Sequence, residues 1–127
     1  MIHLDTSFLI RALVRGSPED RSLRSWLAEA QPIGITAIAW TEFLCGPLDA
    51  HAVELALRIV GDQVPFTGED AVVAAHLFNV SGRRRGTLLD CMVAASAIRD
   101  SAELATANAA DFKRLEPAGL RLVTLTP

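Results

Sequence analysis

Glu42 and Asp90 stand where a chain seldom places charge. Glu42 is the only carboxylate or cation of Ile38-Ala39-Trp40-Thr41-Glu42-Phe43-Leu44-Cys45. Asp90 is likewise alone in Leu88-Leu89-Asp90-Cys91-Met92-Val93-Ala94-Ala95-Ser96-Ala97-Ile98, a stretch apolar on nearly every helical face that predicts a buried helix. A carboxylate buried without a partner is driven to take up a proton, so it calls for a cation, a metal or several donors. No Lys or Arg lies in the Glu42 segment, which excludes an ion pair at helical spacing and leaves a long-range arginine as the structural alternative. For Asp90 the alternative is a capping box begun by Thr87.

Two further acids follow apolar runs. Asp5 ends Ile2-His3-Leu4-Asp5, and Asp111 lies in Thr106-Ala107-Asn108-Ala109-Ala110-Asp111-Phe112. Each has a local alternative: Asp5 can cap the next helix, and Asn108 can cap a short helix that Asp111 answers three residues on. The four acids are too dispersed for a calcium-binding loop, so only the fold can gather them. An all-oxygen set of that kind suits a hard dication, magnesium first and manganese as a substitute. Zinc fits poorly, because His3, His51 and His76 follow no ligand spacing.

The remaining acids have local explanations. Glu19, Asp20, Glu69 and Asp70 fall in predicted first helical turns, where negative charge is favoured by about 0.3 to 1 kcal/mol each. Glu29, Glu54, Asp62, Asp100 and Glu116 stand near turns or polar neighbours and are expected to be solvated and dispensable.

Short β-branched runs alternate with longer amphipathic segments, which predicts an α/β domain over residues 1–127. Strands are expected near Met1 to Leu4, Ile33 to Ile35, Val64 to Phe66, Glu103 to Thr106 and Leu120 to Leu125, with helices between them. Helix starts are marked by Ser17-Pro18-Glu19-Asp20 and Thr67-Gly68-Glu69-Asp70. Helical crossovers make such strands parallel, giving a three-layer α/β/α sandwich with a mainly parallel sheet of about five strands. Ligands bind beyond the carboxyl ends of such strands, where Asp5 and Asp111 are expected.

The chain of 127 residues is 50% hydrophobic and needs no disulfide to form a core. Cys45 and Cys91 form no C-x-x-C pair and are expected as buried free thiols in a reducing compartment. Without a spanning segment or a signal-like start, the chain reads as cytoplasmic and independent of membranes. A mean hydropathy of +0.29 is high for a soluble chain of this length and suggests apolar surface covered by a partner. The net charge of −3 argues against binding nucleic acid through overall basicity, yet setting four of the 15 acids aside leaves 11 against 12 bases. Arg83-Arg84-Arg85, between Gly82 and Gly86, is the basic cluster suited to gripping phosphate, with a solvated turn as the alternative. Trp26 and Trp40 read as core or interface.

These motifs together resemble PIN-domain ribonucleases, and within them VapC-type toxins of bacterial toxin-antitoxin pairs. Ile2-His3-Leu4-Asp5-Thr6-Ser7, Thr41-Glu42-Phe43-Leu44-Cys45-Gly46, Gly86-Thr87-Leu88-Leu89-Asp90-Cys91-Met92-Val93-Ala94-Ala95-Ser96-Ala97 and Leu104-Ala105-Thr106-Ala107-Asn108-Ala109-Ala110-Asp111-Phe112 follow the family's order nearly end to end. The resemblance implies that Asp5, Glu42, Asp90 and Asp111 hold one or two Mg2+ or Mn2+ ions, with Thr6, Ser7, Thr106 and Asn108 as supporting or substrate contacts. It further implies RNA hydrolysis by metal-activated water, products with a 5' phosphate and a 3' hydroxyl, an RNA substrate such as a transfer RNA, a small antitoxin partner and a homodimer. Two rivals remain: a haloacid-dehalogenase-type phosphatase, which needs an aspartate where Ser7 stands, and a non-catalytic PIN module that binds RNA or protein. A solitary RNA-processing nuclease is a further variant.

Overall fold

The computed structural model describes residues 1–125. Strand β1 (Ile2–Leu4) leads into α1 (Thr6–Ala12) and α2 (Pro18–Ala28), then β2 (Ile33–Gly34), α3 (Ala37–Leu44) and α4 (Ala50–Val60). Helices α5 (Gly68–Val80) and α6 (Leu88–Arg99) precede β3 (Glu103–Ala105), α7 (Ala109–Phe112), a 3-10 segment (Lys113–Ala118) and β4 (Arg121–Leu122). The four strands form one sheet in the order β2-β1-β3-β4, with every pairing parallel. In register, Ile2 faces Ile33 on one side and Glu103 on the other, and Leu104 faces Leu122.

Successive residues of a strand point to opposite faces, yet Ile2, His3 and Leu4 are all buried. The sheet is therefore covered on both sides, as the expected three-layer sandwich requires. Leu4, Phe8, Leu9, Ile35, Phe43, Val93, Leu104 and Phe112 fill its core. Trp26 stacks on Phe8 and Trp40 on Phe43, with ring centroids 5.4 and 5.2 Å apart. No described helix is long and apolar enough to cross a membrane.

The fifth expected strand does not form among the described residues. From Val64 to Phe66 the only β contact is a parallel bridge between Val64 and Thr36. Pro65 has no N–H for a ladder, and Thr36 is already the cap of α3, accepting from the Ala39 N–H at 3.0 Å. Ser17 and Thr67 cap α2 and α5 as expected, and Thr67 with Asp70 completes a capping box.

Three other expectations are corrected. Asp100 is not dispensably solvated: its Oδ2 lies 2.8 Å from Nε2 of fully buried His3, tying α6 to the central strand. Burial lowers the His3 pKa, and the bond to Asp100 offsets part of that effect. Cys45 is exposed, at the end of α3, while Cys91 is buried as expected. Helix α6 is buried along Val93 to Ala97, but Leu88 and Leu89 in its first turn are 50% and 46% exposed.

Candidate active site

Asp5 follows β1 at the N-cap position of α1, yet its side chain makes no cap bond. Its Oδ2 instead accepts from the hydroxyls of Ser7, at 2.8 Å, and Thr106, at 2.9 Å. The Ser7 and Thr106 oxygens are 3.2 Å apart and accept the backbone N–H groups of Ala107 and Asn108. This network ties the carboxyl ends of neighbouring strands β1 and β3 and holds the buried Asp5 carboxylate in one orientation. Thr6 extends it sideways, because its hydroxyl donates to the Ala39 carbonyl at 2.8 Å and pins α1 to α3.

Helix α3 carries Glu42, which is half-buried. Burial raises its pKa first, and the charges of Asp5 and Asp90 raise it further. Asp90 sits in the first turn of α6, where Thr87 makes no cap bond and donates its hydroxyl to the Arg84 carbonyl instead. The capping explanation for Asp90 therefore fails. Burial, then the charges of Asp5 and Asp111, push Asp90 up to about 6 against a smaller opposing pull from Arg114. Asp111 is exposed on α7, and Asn108 before it makes no side-chain cap.

Charge thus links Glu42 to Asp5 and Asp90, and Asp90 to Asp5 and Asp111. Ion pairs among the described residues join His3 to Asp100, Arg11 to Glu19, Arg24 to Asp20, and Arg99 to Asp70 and Asp100; none involves Asp5, Glu42, Asp90 or Asp111. Nor do three acidic, histidine or cysteine groups among the described residues form a ready-made metal cage. A magnesium ion fits this arrangement better than a metal that demands a full protein shell, since it takes one or two carboxylates and keeps several waters. The donors are hard oxygens, and repulsion among them is what a dication relieves.

Arg83, Arg84 and Arg85 are exposed on the loop before α6. Gly82 and Gly86 have φ of +97° and +82°, a left-handed backbone that suits glycine and lets the loop turn sharply at both ends. Arg83 turns back onto α5, donating to the Asn79 side chain and covering the Phe78 ring at 5.5 Å. The cation whose charge reaches Asp90 is Arg114, which sequence reasoning passed over. Its position three residues beyond Asp111 was the one available signal. Beside Glu42, Ile38, Thr41, Cys45 and Leu89 line an apolar hollow of about 400 Å3.

Comparison with known proteins agrees with this fold. The PIN domain matches residues 2–116. VapBC2 of Rickettsia felis, in a structure bound to a DNA fragment from its promoter, has a similar chain at 20% identity and a TM-score of 0.75, covering 99% of this chain and 100% of that one. VapBC-1 of nontypeable Haemophilus influenzae is similar at 20% identity and a TM-score of 0.71, covering 97% of each chain. FitAcB of Neisseria gonorrhoeae is similar at 18% identity and a TM-score of 0.70, covering 98% of this chain and 97% of that one. No curated protein sequence matches the chain.

Proposed function

Because this chain belongs to the PIN domain family, we propose that it is a Mg2+-dependent endoribonuclease, with Mn2+ as a substitute, serving as the toxin of a toxin-antitoxin pair. The observation that carries the reading is the set of carboxylates Asp5, Glu42, Asp90 and Asp111, which join none of the ion pairs among the described residues and whose charges raise the pKa of Glu42 and Asp90. Structural acids are normally neutralised by neighbours, and strongly perturbed ones cluster at functional sites.

Bound there, a dication supplies the Lewis acidity that activates water and offsets charge on a phosphodiester. The chain's part is to arrange oxygens. Ser7 and Thr106 occupy Oδ2 of Asp5 and leave Oδ1 without a partner in this network. The Thr6 bond to Ala39 keeps α3, and hence Glu42, beside Asp5. Asp90 and Asp111 approach from α6 and α7, and Asn108 stands at the rim for a substrate contact. Arg83, Arg84 and Arg85 are exposed for the RNA backbone to pass.

Three similar folds occur in VapBC and FitAcB structures, and another in a toxin-antitoxin complex from Klebsiella pneumoniae. That likeness supports an antitoxin partner for this chain, and we read its setting as cytoplasmic. Exposed Leu44, Leu88 and Leu89 around the acid site offer apolar surface for the antitoxin or for a second copy in a homodimer. A transfer RNA is the substrate class we propose.

The test is cleavage of RNA by the purified protein in magnesium, in EDTA, and after magnesium is restored. We expect cleavage to stop with chelation, return with the metal, and fall on the order of 10²-fold or more in Asp90→Asn. Cleavage that ignores EDTA and the substitution would remove these carboxylates from the reaction.

A further inference from the structure

Arg114 lies in the 3-10 segment that continues from α7, three residues beyond Asp111. Its Nε is buried with no hydrogen-bond partner, and its guanidinium joins none of the ion pairs among the described residues. With His76, Val80 and Pro117 it lines a hollow of about 370 Å3 between α5 and the 3-10 segment. Its charge is felt on α6 by both Asp90 and Cys91, so it stands on the flank of the acid site.

A guanidinium in that position has two candidate tasks. One is to neutralise the acids, but no carboxylate among the described residues lies within ion-pair distance of it. The other is to receive an anion that arrives from outside. A phosphodiester brought toward four carboxylates meets repulsion on every side, and a planar fork of donors aimed at its non-bridging oxygens offsets that repulsion more specifically than an ammonium would.

We propose that Arg114 binds a phosphate of the RNA strand on the α5 side of the carboxylates, an assignment that rests on the ribonuclease reading above. The arginine loop at Arg83 to Arg85 then guides the strand, while Arg114 sets its register at the site.

Arg114→Met keeps an unbranched stem for packing and removes the charge; Arg114→Lys keeps the charge and removes the fork. Binding of a short fluorescein-labelled single-stranded RNA is followed by anisotropy in EDTA, over a range of salt, alongside the melting temperature. Arg114→Met is expected to weaken binding on the order of tenfold and to make the salt slope shallower by about 0.7, with Arg114→Lys between it and wild type. Melting temperatures stay close to wild type. Unchanged affinity and slope in Arg114→Met overturn the assignment, and a changed melting temperature with unchanged RNA binding assigns Arg114 to acid neutralisation instead. Cleavage by wild-type protein in magnesium tests the underlying reading separately. Wild type that cleaves while Arg114→Met binds normally defeats only the Arg114 proposal, whereas wild type that neither binds nor cleaves RNA defeats both.

Discussion

The two ends of α6 treat carboxylates in opposite ways. Near its C-terminus, Arg99 reaches fully buried Asp70, with Nε 2.6 Å from Oδ1 and Nη2 3.1 Å from Oδ2, while Ser96 donates at 3.0 Å and the Thr67 N–H at 3.1 Å. Burial alone raises the Asp70 pKa, but these donors outweigh it and hold the carboxyl below its ordinary range. At the N-terminus of the same helix, Asp90 has weaker burial and no ion-pair partner, and its pKa rises to about 6. The more deeply buried acid has the lower pKa, so burial depth does not account for the difference. The separation lies in whether the surrounding chain provides donors.

The contrast is broken most forcefully at Asp70. Asp70→Ala leaves the Arg99 guanidinium facing a buried cavity; because Arg99 is 29% exposed and partly hydrated, the expected loss is about 3 kcal/mol, at the lower end for a broken buried pair. Urea unfolding measures it. Asp90→Asn should do the reverse, stabilising the metal-free protein near neutral pH by about 1 kcal/mol once solvent screening is allowed for. Equal losses in the two variants would erase the distinction.

The pH dependence sharpens it further. Asp90 has a raised folded pKa, so its repulsive charge is present above about 6 and is relieved as protons bind below that; the advantage of Asp90→Asn over wild type should shrink as pH falls through about 6. Asp70 has a lowered folded pKa, so its stabilisation is present above the ordinary value of 3.8 and is lost as pH falls below it. His3, lowered by burial, contributes stability that is lost as pH falls below 6.5, so each acid is best read from the difference between variant and wild type. Denaturation midpoints collected across this range give both curves.

Much of the candidate site was legible in the sequence. Charges inside apolar stretches marked Glu42 and Asp90, and the ends of apolar runs marked Asp5 and the turn bearing Asp111. Caps at Ser17 and Thr67 were readable because their partners lie within three residues. The bond between His3 and Asp100 spans 97 positions, and local patterning carries no trace of it, so Asp100 looked like one more solvated acid. Arg114 was hidden for the same reason: its influence on Asp90 exists only once α7 has folded against α6. The Val64 to Phe66 stretch has strand-like residue types, but Pro65 and the early start of α3 leave it a single bridge. Cys45 shares its apolar neighbours with Phe43, yet it falls at the C-cap of α3 and turns out to solvent.

A crystal soaked in manganese, with diffraction recorded at the metal's absorption edge, addresses the central claim most directly. The account predicts an anomalous peak among Asp5, Glu42, Asp90 and Asp111, held by carboxylate oxygens and water. A map without that peak, or with each of the four side chains paired to its own arginine, would contradict it.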